Sequence, residues 1–491
     1  MKLAEYPHVI KPFQHQDSHL REHAHKKSWG LLWEQGTAKT KPVIDTACLM
    51  YANDRIDAVL VVAPPGVERN WNTDEIPKHM PPQFRAETRV EVFSTKRKNT
   101  KDHKWRMKTI LDHQGLAILL ISYNAFMTDA GKKVCSTFLK KRRVLYVLDE
   151  SHNIKTPKAK RTQSLCRSAP LATYRRILTG TPIAQGPFDL YSQIRFLDEN
   201  FWKRKGIGGA VEFRQYFGEW LHRDEVKRRL GYDPGYDKLI RYRNLEQLSE
   251  WLKEITDRVT KDEVLDLPPK LYSKRYFEMS SLQKTLYEQM EEELHVTLNT
   301  GDVVEGDLPI VLLLRLQQIL CGYLPTEREE EPTVRIEDKN SRISIMESIR
   351  DEQTRPAIVW ARFREDVNQL MDLLGEEAVR YDGTVDEDQA EINRKKFQSG
   401  DAKWFVGTAA KGGPGLTLTQ AKTVIYYSNS FKLVDRLQSE DRAHRAGMDE
   451  HPVNVIDLAV PDTIDEKIIA NLRDKVDIAS QVTGDKLKEW I

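Results

Sequence analysis

The feature that most restricts the fold of this chain is a rhythm of short apolar runs, each ending abruptly on a turn or on polar residues. Ala58 to Ala63 (AVLVVA) stops at Pro64-Pro65-Gly66, and Leu116 to Ile121 runs into Ser122-Tyr123. Leu145 to Leu148 delivers Asp149 and Glu150, and Arg176 to Leu178 leads into Thr179-Gly180-Thr181-Pro182. Runs bounded this way read as strands buried on both faces, with helical stretches between them. Strands alternating with helices specify a parallel sheet covered on both sides. The rhythm returns at Ala357 to Ala361, Val379 to Asp382, Trp404 to Val406 and Val424 to Tyr427, which predicts a second lobe of the same kind. The expected fold class is therefore α/β, with two doubly wound parallel-sheet lobes. The length of 491 residues agrees, because single cores stop growing near ~250–300 residues.

Open α/β sheets bind ligands at the C-terminal ends of their strands. Asp149 and Glu150 stand at such an end. One carboxylate can hold the magnesium that bridges nucleotide phosphates while its neighbour polarises an attacking water, so the pair suits phosphoanhydride hydrolysis. The bland alternative is a strand-capping turn with solvated acids. Upstream, Gly36-Thr37-Ala38-Lys39-Thr40 precedes an apolar helical pattern with Ile44, Ala47 and Cys48 inward. This is a phosphate loop in outline: backbone amides face the phosphates, Lys39 reaches β and γ, and Thr40 meets magnesium. The strict pattern places glycine immediately before the lysine and again six residues before it, where this chain has Ala38 and Trp33. Gln16, just upstream, is a candidate to read an adenine edge through its amide. His15, His19 and His23 lie four apart on one helix face; no carboxylate or thiol completes a metal set nearby, so they read as a polar helix face.

In the second half, the glycine-rich turn through Gly415 lets backbone amides approach phosphate closely, beyond its simpler reading as a flexible loop. The string LVDRLQSEDRAHRAG places Gln438, Arg442 and Arg445 on one face of a helical stretch. A solvated charged face is the alternative; guanidinium groups aimed at a γ-phosphate would instead neutralise charge developing in the transition state.

Charge says little globally, since 76 Lys and Arg stand against 74 Asp and Glu for a net of +2. Any nucleic-acid surface must be local. Lys96 to Lys108 (KRKNTKDHKWRMK) is a basic run with one aromatic, expected as a solvated loop with the option of touching phosphate backbone. No apolar run approaches the ~20 residues of a membrane span and the N-terminus lacks a signal-peptide core, so a soluble cytoplasmic protein with no membrane partner is expected. The scattered Cys48, Cys135, Cys166 and Cys321 are expected as reduced thiols.

The order of these motifs resembles a known family. Phe13 to Gln16, GTAKT, APPGVERNW, ISY, LDESHNIK and LTGTPIAQGPFDLYSQIRFL look like the first lobe of superfamily-two helicase-like ATPases, specifically the Swi/Snf-type DNA translocases. LVDRLQSEDRAHRAG is similar to the signature of their second lobe, with Met448 where glutamine is usual; Gln185 and Gly186 stand where the family usually has two asparagines. DRVTKDEVLDLPPK resembles the family's connector, which places an inter-lobe boundary at Pro268-Pro269.

The resemblance runs from about Pro12 to about Asp485. It implies RecA-like lobes divided as 1–198 (first lobe), 199–269 (helical insertion and connector), 270–345 (helical insertion of the second lobe) and 346–491 (second lobe with brace helices). It further implies ATP and Mg2+ as cofactors, with Lys39, Asp149 and Glu150 catalytic and Arg442 and Arg445 as arginine fingers. Nucleotide contacts would come from Gln16, Gly36, Thr37, Ala38, Lys39, Thr40, Gly415 and Gln438, and metal contacts from Thr40 and Asp149. Ser122, Tyr123, Thr408 and Lys411 are the positions expected to touch a nucleic-acid backbone. The implied activity is ATP-driven translocation on duplex DNA without sequence preference, in a compact bacteriophage or bacterial member acting in the bacterial cytoplasm with replication, recombination or defence proteins. A strand-separating DNA or RNA helicase shares these motifs, and a non-hydrolysing nucleotide-gated DNA-binding module is the rival from another class.

Overall fold

The computed structural model describes residues 1–230, 233, 235–297, 303–305, 309–326, 333–337, 340–412 and 416–485. These fall into two compact units. The first holds Met1–Asp266 and a returning segment that begins at Asp477; the second is Leu267–Val476.

In the first unit the strands are β1 (Ser28–Leu31), β2 (Ala58–Ala63), β3 (Thr88–Val92), β4 (Leu116–Ser122), β5 (Val144–Asp149), β6 (Tyr174–Leu178), β7 (Gly218–Leu221), β8 (Lys238–Tyr242) and β9 (Thr256–Asp257). Seven of them form one sheet in the order β3-β4-β2-β5-β6-β1-β9, with every pairing parallel. Every residue of β2, β4 and β5 is buried, as expected of central strands covered by helices on both faces. The two-residue period divides them between two cores. Leu60, Val62, Tyr146 and Leu148 pack on one side, and Val59, Val61, Leu145 and Val147 on the other. Burying each such side chain stabilises the lobe by about 1.5–3 kcal/mol. Because the strands are parallel, Ala63, Ser122, Asp149 and Leu178 all end at the same edge of the sheet.

The segment after Glu199, expected as a helical insertion, belongs to this unit and is only partly helical. β7 and β8 pair as an antiparallel hairpin, and β9 joins the main sheet beside β1. A two-residue edge strand has no periodicity to detect. The unit boundary falls two residues before Pro268-Pro269.

The second unit opens with β10 (Lys270–Tyr276) and carries two short antiparallel pairs, β11 (His295–Thr297) with β12 (Val303–Glu305) and β13 (Tyr323–Pro325) with β14 (Thr333–Arg335). Its main strands are β15 (Ala357–Ala361), β16 (Ala378–Tyr381), β17 (Trp404–Thr408), β18 (Thr423–Tyr426) and β19 (Val453–Ala459). The sheet runs β10-β19-β18-β15-β17-β16, again wholly parallel. β10 is thus an edge strand of the lobe itself rather than part of an insertion. The final helix, Ile464–Thr483, places Ile468 and Leu472 in the core of the second unit. Its last turns belong to the first, where Val482 is a core residue and Asp485 pairs with Arg258 at 2.7 Å. The tail is therefore shared, not confined to the second lobe as expected.

Among the described residues no helix is long and apolar enough to cross a membrane. All four cysteines are buried free thiols.

Candidate nucleotide site

Beyond β1 the chain passes through Trp33, Glu34 and Gln35 into the phosphate-loop turn, and the helix Thr40–Ala52 begins immediately after Lys39. Gly36 has φ 84° and Ala38 has φ 58°, so two residues of the turn occupy the left-handed region. Both are exposed, whereas Thr37 is buried with its hydroxyl donating to the Glu34 carbonyl at 2.7 Å. Lys39 Nζ donates to the same carbonyl at 3.2 Å, and Thr40 is half-buried in the first helical turn. Left-handed backbone costs a residue with a Cβ about 1–2 kcal/mol, which is the physical reason the strict pattern has glycine at this position. Ala38→Gly is therefore expected to leave the midpoint of thermal unfolding unchanged or raise it slightly, while Ala38→Val lowers it; calorimetry of the three chains checks this.

Trp33 replaces the other glycine of the pattern. It is fully buried, with the rings of His15 and His19 edge-on at 4.9 and 5.4 Å. The predicted polar histidine face is thus a packing face. His19 Nδ1 meets Asp257 at 3.1 Å, and His23 stacks on Trp29 at 3.9 Å, where burial lowers its pKa to about 4. Gln16 is 1% exposed. Its oxygen accepts the Phe13 N–H at 2.9 Å and its amide donates to the Ala38 carbonyl at 3.0 Å, tying the helix Gln14–Glu22 to the turn.

At the end of β5, Asp149 accepts the indole N–H of Trp71 and the backbone N–H of Glu150, each at 2.9 Å. Burial, and then the charge of Glu150, push Asp149 up to about 6, against the opposing pull of Lys39. Glu150 itself has φ 50°, a strained conformation for a non-glycine residue. Its carbonyl is held by the backbone N–H and side-chain amide of Asn153 at 3.0 and 2.9 Å. Its carboxylate accepts Gln35 at 3.4 Å and Thr179 at 3.4 Å and lies 3.3 Å from His152 Nδ1. Glu150 is thereby joined to the residue before the phosphate-loop turn and to the first residue after β6. Two adjacent buried carboxylates carry excess negative charge that a divalent cation relieves, and oxygen donors are what magnesium takes, so the residues present fit Mg2+.

Two positions expected at a nucleic-acid backbone, Ser122 and Tyr123, are buried and hydrogen-bonded within the first lobe. Tyr123 is 1% exposed, and its hydroxyl donates to the Asp149 carbonyl at 2.8 Å. Ser122 is buried and caps the short helix Tyr123–Phe126 by accepting the Ala125 N–H at 3.2 Å. A helix starting directly after β4 buries this pair beside the acidic turn.

Sequence reasoning missed Trp71, Gln35 and Gln193. Gln193 is fully buried; it accepts the Ser151 hydroxyl at 2.7 Å and donates to the carbonyls of Pro182 and Asp189 at 2.8 and 2.9 Å. It binds the residue beside Glu150 to the segment that follows Thr181. It lies inside the family-like string, but its bond to Ser151 crosses 42 residues, so only the fold shows what it holds.

The departure at Gly186 has a steric cause. A Cβ there would lie 2.1 Å from the Tyr242 hydroxyl and 2.8 Å from its Cζ, so β8 occupies the space of the missing side chain. Gly186→Asn is expected to destabilise the first lobe by about 1–3 kcal/mol through overpacking. Adding Tyr242→Ala should recover part of that loss, and a double-mutant cycle in urea measures the coupling.

In the second lobe the helix Leu433–Glu440 ends before the arginines, so Gln438, Arg442 and Arg445 do not share one helical face. Gln438 is buried in the helix. Arg442 and Arg445 nevertheless converge, both donating to the Leu416 carbonyl at 3.1 and 3.2 Å, and Arg445 also meets the Thr417 hydroxyl at 2.9 Å. Gly415 lies outside the described residues. Thr408 ends β17 and is half-buried. Lys411, expected at a nucleic-acid backbone, instead donates to the carbonyls of Asp382 and Val385 at 2.5 and 2.6 Å, clamping the turn after β16.

Much of the arginine string is structural. Arg436 pairs with Asp457 at 2.5 Å and with Glu440 at 2.7 Å, and Glu440 also accepts Lys270 at 2.6 Å and the Tyr272 hydroxyl at 2.8 Å. One buried network thus joins the helix to β10 and β19.

Two parallel α/β lobes, with a phosphate-loop turn and an acidic pair at one strand edge, define a nucleotide-binding α/β class of protein. Residues 18–323 match the SNF2-related domain, and residues 340–447 match the helicase conserved C-terminal domain. The chain belongs to the SNF2-related family. It is 27% identical over 357 residues to the Bacillus subtilis protein YwqA, named as an ATP-dependent helicase/translocase, covering 70% of this chain and 36% of that one. It is 25% identical over 389 residues to the Saccharomyces cerevisiae TATA-binding protein-associated factor MOT1, covering 69% and 20%. The chain thus spans about a third or less of the length of these relatives. The Sulfolobus solfataricus SWI2/SNF2 ATPase core in complex with dsDNA is a distant structural likeness, at 23% identity and TM-score 0.41 over 99% of this chain and 96% of the other.

Proposed function

We propose that the chain hydrolyses ATP with Mg2+ and converts turnover into movement along duplex DNA. The observation that carries this reading is the wiring of Glu150, a buried carboxylate in left-handed backbone, hydrogen-bonded to Gln35 beside the phosphate-loop turn and to Thr179 after β6. A carboxylate positioned this way suits a general base that orients water toward a γ-phosphate. The exposed backbone of Gly36 and Ala38, with Thr37 between them, receives the phosphates, Lys39 neutralises them, and Thr40 and Asp149 hold the magnesium, which neutralises phosphate charge when bound. Gln16 links the adenine end to the turn through its bond to Ala38. In the second unit, Gln438, Arg442 and Arg445 are the candidates for nucleotide chemistry, the two arginines in the role of arginine fingers. Thr408 is the remaining candidate for backbone contact with DNA. The name of the Bacillus subtilis relative, helicase/translocase, supports a motor over a passive binding module.

The test is ATP turnover without nucleic acid and with single-stranded DNA, duplex DNA and RNA, using a Glu150→Gln chain as the blank. Stimulation by duplex DNA that vanishes in the blank supports the reading. Turnover equal to the blank on every ligand, with nucleotide still bound, overturns hydrolysis; stimulation by single-stranded RNA alone overturns the duplex assignment.

A further inference from the structure

We propose that the first lobe carries a separate binding strip for an unpaired nucleic-acid strand, built on the helix Lys101–Asp112 and the turn before it, with Trp105 as its stacking platform. The proposal rests on the nucleic-acid reading above for its partner, but on different residues. Between Lys96 and Lys108 there are seven Lys or Arg against one Asp, a net of +6 within a chain whose total is +2. The structure turns the expected loop into a helix from Lys101 onward, capped by the Thr100 hydroxyl, which accepts the His103 N–H at 3.2 Å. The helix has two distinct faces. His103, Met107 and Ile110 are buried, with His103 edge-on to Phe93 at 5.2 Å. Lys101, Lys104, Trp105 and Lys108 are exposed, as are Lys96, Arg97 and Lys98 in the turn.

Some exposed cations elsewhere in the chain are held by a carboxylate. Arg223 meets Asp233 at 2.5 Å, and Arg241 meets Glu219 at 2.7 Å. Within the strip, Arg106 alone pairs, with Glu91 at 3.5 Å and Asp102 at 3.4 Å. The other six cations make no ion pair among the described residues. Lys101, Lys104 and Lys108, spaced three and four apart, repel one another along the helix, a cost that a polyanion reverses. In their midst Trp105 is 59% exposed, the one exposed tryptophan among the described residues. Tryptophan is otherwise highly buried on average. The Arg89 guanidinium lies 5.3 Å from its ring centroid. Cations flanking an open aromatic face are the combination that holds a single strand, whose unstacked bases present their faces to a ring; a duplex keeps its bases stacked on one another.

The experiment measures fluorescence anisotropy of a blunt duplex, the same duplex with an unpaired tail, and a free oligothymidylate, each across a salt series. Trp105→Ala, an exposed substitution, should weaken the tailed duplex and the oligothymidylate about tenfold while leaving the blunt duplex unchanged. Lys101→Gln, Lys104→Gln and Lys108→Gln combined should flatten the salt slope for the single strand by about 0.7 for each phosphate that is no longer neutralised. Equal weakening of blunt and tailed duplexes, or no change on any ligand, overturns the strip. Absence of duplex-stimulated ATP turnover in the wild-type chain, with tight oligothymidylate binding that depends on Trp105, would sink the motor reading and leave the strip standing.

Discussion

Glu150→Gln lowers the kcat for ATP by about 10²–10⁴, the usual contribution of a positioned base, with nucleotide affinity nearly unchanged. The substitution keeps size and one acceptor oxygen, so the hydrogen bonds with Gln35 and Thr179 are only partly disturbed. It removes a charge beside Asp149, whose pKa is raised first by burial and second by Glu150, so Asp149 ionises more readily in the variant. Removing one of the two carboxylate charges also weakens the attraction for a divalent cation, so kcat is read at saturating magnesium, where the remaining loss belongs to the base. Steady-state turnover together with titration of a fluorescent nucleotide separates the two quantities. Equal losses in kcat and binding would show that Glu150 acts by holding the turn together.

Glu440→Gln is expected to destabilise the second lobe by about 3–5 kcal/mol, the cost of breaking a buried ion pair from one side. Burial alone would raise the Glu440 pKa, but Lys270 and Arg436 outweigh it and bring it to about 2. The unfolded-state value is near ~4.3, so the folded value is depressed. The stabilisation is then fully present above about pH 5 and is lost as pH falls toward 2. The glutamine variant lacks this titration. The stability gap between the two chains should be wide at neutral pH and narrow at pH 3, as read by denaturant unfolding of the second lobe. Equal midpoints at neutral pH would mean that Lys270 and Arg436 find adequate partners without Glu440.

The arginine string shows what sequence spacing conveys and where it stops. Regular spacing suggested a helical face shared by Gln438, Arg442 and Arg445, yet the helix ends at Glu440 and the arginines meet through a carbonyl near residue 416. Arg436 and Glu440, which resemble the rest of a charged surface face in sequence, are buried because their partners come from β10 and β19. Charge alone does not reveal whether a residue faces solvent, ligand or an opposite charge in the core.

The sequence by itself determined the two parallel-sheet lobes, the strand ends that carry Asp149 and Glu150, the phosphate-loop turn and the family. These depend on local periodicity and on short contiguous strings. Tertiary structure alone decided that Tyr123 supports the acidic turn, that the histidine face encloses Trp33, that Tyr242 fills the space beside Gly186, and that the final helix is shared by both units. Each of these is a contact between residues far apart in the chain. Their pairing is set by how the strands and helices pack, which no local pattern of residues records.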